Sequence, residues 1–529
     1  MATYTNPGVY VSESTLVNNV QRANTAQSVA VFIGTAPRGP MTPTLINSWS
    51  GFKALYGDIT LDNELGYSVY HYFANGGRDA YIIRTLHTSG AAPLARSASS
   101  YIEYFPAGSG SSVGASVMFT ATAANPGAWG TGLTVTTSSS PAAPSNATSS
   151  YPTFNVSVKL NAVEVENWNE VSLNPANNRY LLDVVNTYSK YITVASPAGA
   201  TVGWAIKEDP TADIFTFNAY STPFGSTTIS ASVATNGTDV AVADYQAAIT
   251  KVDAIQGSLL LNAPGQTNSS VVTSLLNTAE ARGDSFVIID PAASGTTLTG
   301  VTSAIASYPK SSYGAVYYPQ LIMADPTKTG PAAVRNTFPG GAVAGAYIRS
   351  EVARTVAKAP AGYDLDIRNA LGLTASFTES EAGSLYDTHN VNLFKTIPGA
   401  GIVINGARTM SKATPAKYIP IRRSLNYLKQ ALKAETAFAV FEPNDERLWT
   451  RINMNVSSLL SEFWRSGGLK GANANQAFYI VCNSTNNTST TINNGEVHVE
   501  VGVALQYPAE FIVINLSQWT GGSNTVSTL

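Results

Sequence analysis

Cysteine is almost absent from this chain. Its 529 residues contain one, Cys482, so no intrachain disulfide can hold the fold together. That cysteine lies in the apolar run AFYIVC, which points to a buried thiol packed as a small hydrophobe. Histidine is nearly as scarce: His71, His87, His389 and His498 are too dispersed for a metal-ligand spacing, and the scattered carboxylates lack the order of a calcium loop. Charge is low as well. Lys, Arg, Asp and Glu make up 12% of the chain, against about 25% in an ordinary soluble domain. The net charge of −3 leaves no electrostatic footprint for nucleic acid. No apolar run approaches the ~20 residues that cross a bilayer, and the opening MATYTNPG lacks the basic and apolar blocks of a signal peptide. The expectation is a cytosolic product, without membrane insertion, kept in solution by hydroxyls and amides more than by charge.

What is present is periodicity of two kinds. A chain this long exceeds a single hydrophobic core, and its parts differ in pattern. SVAVFIGT and AYIIRT read as strands flanking short helices near residues 51–56 and 65–75. After Arg96 charge thins out, and TFNVSVKL and other alternating pieces separated by Pro, Asn and Gly indicate a β-rich insertion over about 95–238. From residue 240, apolar strands (SLLLN, SFVIID, YGAVYYPQL) alternate with helices, as βαβ units of a parallel sheet covered on both faces require.

The clearest helix lies further on. Leu448, Ile452, Val456, Leu460 and Trp464 recur every four residues, joined by Trp449, Leu459 and Phe463, to make one apolar stripe. Asn444 or Asp445 is placed to cap its start and Gly467 to end it. Val497, Val499, Val501, Val503 and Leu505 then alternate with smaller or polar residues, which predicts a strand with one buried face.

Catalytic chemistry finds little support. Asp290 ends an apolar strand, where open α/β sheets bind ligands, yet His389 is the only histidine that the sequence places near the α/β segment and no nucleophile elbow accompanies it. The pairs Gly76-Gly77, Gly340-Gly341 and Gly467-Gly468 lack the spacing, lysine and hydroxyl of a phosphate loop, and read as turns or helix stops. The expectation is no enzyme, no catalytic or metal residue and no cofactor.

Several phrases together carry a resemblance. IPIRRSLNYLKQAL, FEPNDERLWTRI, LLSEFWRSGGLKGANANQAFYIVCN and GEVHVEVGVALQYPAEFIVINL, in that order over residues 419–516, resemble the C-terminal domain of the tail sheath proteins of contractile-tailed bacteriophages. TNPGVYVSE, SVAVFIGTAPRGP and WSGFKALYGD resemble the N-terminal arm and first strand of that family, and GGAVAGAYIRSEVARTVAKAPAG and NLFKTIPGAGIVINGARTM its middle segment. The resemblance takes in roughly the first 90 residues and everything after about residue 240, leaving out the insertion.

That resemblance implies an α/β plus β, multidomain protein: a parallel-sheet α/β core, subtilisin-like without a triad, a C-terminal α+β domain and the β-rich insertion. The expected divisions are an N-terminal arm (1–22), the first part of the core (23–94), the insertion (95–238), the α/β middle domain (239–404), the tube-proximal C-terminal domain (405–507) and a C-terminal arm (508–529). It implies a homo-oligomer of stacked hexameric rings around a tail tube protein, with baseplate and tail terminator proteins as further partners and no direct nucleic acid contact. Strands at Val9, Tyr10 and Val11 and at Phe511, Ile512, Val513 and Ile514 would be donated to neighbouring subunits. Arg422, Arg423, Lys429, Lys433, Arg447, Arg451 and Lys470 are candidate tube-facing or lattice charges, with an internal salt bridge equally open for the Arg422-Arg423 pair. The implied location is the phage tail, assembled in the host cytoplasm. A sheath of a contractile particle other than a phage, and an α/β hydrolase, are the alternatives.

Overall fold

A computed structural model describes residues 28–510 apart from 62, 88–98, 105–115, 140–152, 173–174, 196–221, 224–238, 293–296, 332 and 414–415. The chain first lays down β1 (Val29–Gly34), β2 (Thr44–Ile46), α1 (Trp49–Tyr56), α2 (Glu64–Ala74) and β3 (Ala80–Arg84). Ser48 and Asn63 cap the two helices, accepting from the backbone N–H groups of Gly51 and Gly66. Next come β4 (Ser99–Tyr104), β5 (Ser116–Ala123), β6 (Leu133–Ser139), β7 (Phe154–Leu160), β8 (Val163–Val171), α3 (Leu181–Tyr188), β9 (Ile192–Ala195) and β10 (Thr222–Pro223). They form the sheets β4-β5-β9 and β10-β6-β7-β8. Phe119, Phe154, Val156, Leu181 and Val185 supply a core of their own.

The chain then returns to its first sheet. It builds α4 (Val242–Ile249), β11 (Leu259–Asn262), α5 (Ser269–Arg282), β12 (Ser285–Ile289), α6 (Leu298–Ala306), β13 (Gly314–Tyr318), β14 (Leu321–Ala324), β15 (Val334–Thr337), α7 (Gly340–Ala353), β16 (Ala370–Leu373), α8 (Glu379–Asp387), β17 (Val391–Ile397) and β18 (Gly401–Asn405). The large sheet has the order β18-β17-β13-β12-β11-β1-β3-β2. From β17 to β3 its strands are parallel, and β18 and β2 close the edges antiparallel.

Both faces are covered, which is why the strands read as unbroken apolar runs. Ala30 and Phe32 of β1 meet α2 and α7 on one side, while Val31 and Ile33 meet α4, α5 and α6 on the other. The α2–α7 contact is close: a Cβ on Gly341 would lie 2.1 Å from the Ser68 carbonyl oxygen, and one on Gly345 would lie 2.4 Å from that of Tyr72. The expectation that the Gly340-Gly341 pair is a turn or helix stop is thus corrected, because the pair opens α7 and lets two backbones touch. Gly76 and Gly467 do take the positive φ of a turn or stop.

The remaining elements are α9 (Ile419–Thr436), α10 (Glu446–Arg465), α11 (Ala474–Ala477), β19 (Phe478–Val481), α12 (Ser489–Asn493) and β20 (Glu500–Val503). Asp445 caps α10, and Leu448, Trp449, Ile452, Val456, Leu460 and Phe463 are buried, with Leu459 and Trp464 half-buried at the margin. Cys482 is buried as expected. The strand expected from Val497 to Leu505 shrinks to Glu500–Val503, since only that stretch faces β19; Val497, Val499 and Leu505 still pack on the same core from irregular backbone.

Candidate functional site

The crevice beyond the strand ends is filled by protein. Asn262 and Asp290 follow the last apolar residues of β11 and β12, and the N-terminus of α7 sits on them: the Gly340 N–H donates to Asp290 Oδ1 at 2.8 Å and the Asn262 amide to Oδ2 at 3.1 Å. Burial pushes the Asp290 carboxyl up to about 7, against these hydrogen bonds. At 2% exposure it is closed to any substrate.

The histidines are more engaged with the α/β core than the sequence suggested, and His389 is not alone there. His71 is buried on α2, where desolvation takes its pKa down to about 4 against the pull of Asp325, and neither ring nitrogen is hydrogen-bonded. His87 Nδ1 lies 3.0 Å from Asp244 Oδ2, but the buried Nε2 contacts no hydroxyl. Among the described residues no group of three or more His, Cys, Asp or Glu could hold a metal ion.

The structure separates the candidate charges. Arg447 and Arg451 are exposed one turn apart on α10, in line with the exposed Met454. Arg451 also stacks over Phe438, 4.6 Å from the ring centroid. Lys433 and Lys470 are exposed on the same domain. Arg422 and Lys429 turn to Tyr313 of the α/β core, the former stacked at 4.3 Å and the latter 3.5 Å from its hydroxyl. Arg423 is corrected: it is buried against Glu351 at 2.5 Å and cannot face a tube or lattice neighbour. Sequence reasoning missed the exposure of Val440, Phe441 and Met454 around α10. Met454 was detectable from its helical phase, opposite the stripe, whereas Val440 and the fully exposed Phe441 lie in the α9–α10 loop, where no period applies.

Two further features lie in the C-terminal part of the described residues. Among the described residues β19 and β20 pair antiparallel as a sheet of two strands, with Tyr479 half out in solvent. A cleft of about 1140 Å³ separates β17 and β18 from the C-terminal elements, bordered by Lys358, Tyr386, Lys395, Tyr507 and Glu510. Val9, Tyr10, Val11, Phe511, Ile512, Val513 and Ile514 lie outside the described residues.

Residues 411–518, which hold α9, α10 and the two-stranded sheet, match the family model of the phage tail sheath C-terminal domain. Over this region the chain is similar to the tail sheath family. The tail sheath protein of Vibrio phage KVP40 is 26% identical over 158 residues, an alignment that covers 30% of this chain. The chain spans about a fifth of the length of that relative, 22%. Solved sheath structures extend the likeness in fold to nearly the whole chain. The PVC sheath complex of an extracellular contractile injection system, in its contracted state, gives a TM-score of 0.53 at 20% identity, over 98% of this chain and 99% of its own. The contracted helical sheath of the anti-feeding prophage gives 0.55 at 17%, over 98% and 100%. A sheath tail protein from Listeria innocua gives 0.59 at 12%, over 91% and 97%.

Proposed function

We propose that this chain is the structural subunit of a contractile phage tail sheath, without an active site. Subunits stack as hexameric rings around a tail tube, and contraction drives the tube through the host cell envelope. The observation that carries this reading is the match of residues 411–518 to the sheath C-terminal domain, on the elements that expose Arg447, Arg451 and Met454. That surface is the proposed tube contact. Baseplate and terminator proteins would bind the ends of the polymer, which assembles in the host cytoplasm.

The two-stranded β19–β20 sheet supports the arm model. Packed on α10 but two strands wide among the described residues, it has edges to which strands around Val9–Val11 and 511–514 of neighbouring copies could add. Contacts of that heterologous kind propagate into filaments. The parallel sheet covered by helices supports reading the core as a subtilisin-like domain without a triad, and the segment 95–238 is proposed as an outward-facing insertion. A sheath of a non-phage injection particle is the second reading, favoured by the PVC and anti-feeding prophage likenesses in fold.

Electron microscopy of the concentrated chain tests the proposal. Hollow striated tubes are expected from the full chain, and folded monomers from a chain lacking residues 1–20. Dispersed particles from the full chain, even with a tail tube added, would overturn the sheath reading; tubes from the truncated chain would overturn the N-terminal arm.

A further inference from the structure

Two buried arginine–glutamate pairs stand where the described chain begins and where it ends. At the first, Glu351 of α7 and Arg423 of α9 are 7% and 3% exposed and in contact at 2.5 Å. Between them they hold Ser28, the residue before β1. The Ser28 N–H donates to Glu351 Oε1 at 2.8 Å, and Arg423 Nη2 donates to Ser28 Oγ at 3.2 Å. Tyr347 backs the arginine, its ring centroid 4.8 Å from the guanidinium carbon.

At the second, Arg408 is 1% exposed and grips Glu510 with two parallel bonds, Nε to Oε1 at 3.1 Å and Nη2 to Oε2 at 2.9 Å. Tyr386 donates its hydroxyl to the same carboxylate at 2.5 Å, and Arg408 Nη1 reaches Asp387 at 2.9 Å. The Asn392 side chain receives the Arg408 backbone N–H and donates to its carbonyl, tying the arginine to β17. Beyond β20 the chain is also held by Ala504, which donates its N–H to the Ala477 carbonyl and accepts from the Lys470 N–H, by the Leu505 side chain on the C-terminal core, and by Tyr418, whose ring meets Tyr507 and whose hydroxyl donates to Glu510 at 3.4 Å.

Buried ion pairs are poor devices for overall stability, because desolvation consumes most of the attraction, and apolar pairs of similar volume often do as well. What they confer is place. A bidentate guanidinium–carboxylate fork holds its partner at one position and in one orientation. Each pair here spends that on a residue at the root of a segment, Ser28 for residues 1–27 and Glu510 for residues 511–529. We propose that Glu351–Arg423 and Arg408–Glu510 are tethers that fix the roots of these two segments to the α/β core. A pull on residues 511–529 then reaches β17 through Arg408 and Asn392 and spares the two-stranded β19–β20 sheet, while a pull on residues 1–27 is shared between β1 and the helices α7 and α9. The source of the pull, a neighbouring subunit, rests on the sheath reading; the tethering does not.

Hydrogen exchange and limited proteolysis on the full-length chain as a monomer, followed by assembly, test the proposal. In Glu510→Gln, proteolytic cleavage of the native monomer at residues 505–510 should rise at least tenfold while β11, β12 and β13 keep their exchange protection. The double variant Glu351→Leu with Arg423→Met, chosen because an apolar pair preserves the fold, should raise exchange at least tenfold at Ser28, whose N–H loses its acceptor. Roots that are cut and exchange as slowly as in the wild type, or that loosen only together with β11–β13, would overturn the tethers. Tubes of either variant should disperse at a lower guanidinium concentration than wild-type tubes, and equal resistance would overturn the transmission of pull. A wild-type chain that never polymerises counts against the sheath reading alone, since exchange and cleavage judge the tethers in the monomer.

Discussion

His87 and Asp244 are 157 residues apart in the chain and 3.0 Å apart in space. The first follows β3 and the second stands in the opening turn of α4, so the pair joins the two ends of everything that lies between. Arg84 reinforces the junction from below. Fully buried, it donates to the carbonyls of Ala36, Pro37 and Gly39 in the core and to that of Pro126 on the far side. Burial depresses its pKa to about 10, which leaves it charged at neutral pH.

Excising residues 88–238 and bridging the gap with a short Gly-Ser linker should therefore leave a folded core. The ends already meet, so the linker closes a short loop, and the cost is chiefly the Arg84 bond to Pro126, about 1.5–3 kcal/mol for a charged hydrogen bond, with the stacking of Arg38 over Tyr191, about 0.5–1 kcal/mol. The excised chain should unfold cooperatively in urea, with the protection of β1 and β11 intact. Loss of that protection would mean that the segment 88–238 helps to build the core and is no insertion.

Opposite pH dependences are built into the core. Asp290 has a folded pKa near 7, above its unfolded value, so its contribution is fully present below the unfolded carboxylate pKa and is lost as pH rises through about 7. His71 has a folded pKa near 4, below its unfolded value, so the folded state gains relative to the unfolded as pH rises from about 4 to 6.5. Over pH 4.5–6.5 the two slopes, each about 1.4 kcal/mol per pH unit, oppose each other. Against the wild type, His71→Leu should show stability falling with rising pH and Asp290→Asn the reverse, both read from urea midpoints. Parallel pH profiles for the three proteins would show that neither group titrates as its burial demands.

Much of this architecture could be read from residue patterns, for a physical reason. Strands covered on both faces must be apolar throughout, and SFVIID and SVAVFIGT announce themselves; α10 shows its period because one face is buried and the other wet. Relationships between distant segments leave no such trace. Nothing in the helical phase of α9 reveals that Arg423, Ser424 and Asn426 are buried while Lys429 and Lys433 are exposed, because the burial comes from α7 and β12 packing on that side. The shortening of the 497–505 strand has a similar cause. Alternation records which side chains face the core, whereas a ladder also needs a partner backbone, and β19 offers one over four residues only.

The α2–α7 contact gives a third prediction. Gly341→Ala would set a Cβ 2.1 Å from the Ser68 carbonyl oxygen, and a backbone atom cannot swing aside as a flexible side chain does. The two helices must separate, at a cost of about 1–3 kcal/mol or more. Thermal unfolding should show it directly. A Gly341→Ala chain as stable as the wild type would show that α7 can slide on α2 freely. Gly383→Ala serves as the control, since a Cβ there meets nothing within 4 Å.

The two sides of α10 should respond to mutation in different ways. Leu460 is fully buried, and Leu460→Ala removes apolar contact and leaves a cavity, which costs about 2–5 kcal/mol. Met454→Ala and the double charge reversal Arg447→Glu with Arg451→Glu alter the exposed stripe, where substitutions usually stay within about 0.5 kcal/mol, apart from the Arg451 stack over Phe438, worth about 0.5–1 kcal/mol. Under the sheath proposal the second set carries the functional loss. The charge-reversed chain should fold with a urea midpoint far closer to the wild type than that of Leu460→Ala, yet fail to cosediment with a tail tube, and raising salt should weaken the wild-type interaction, since exposed charges are screened. Wild-type cosedimentation by the charge-reversed chain would remove α10 from the tube contact and direct attention to the exposed loop at Val440 and Phe441, whose replacement by serine would then be the variant to test.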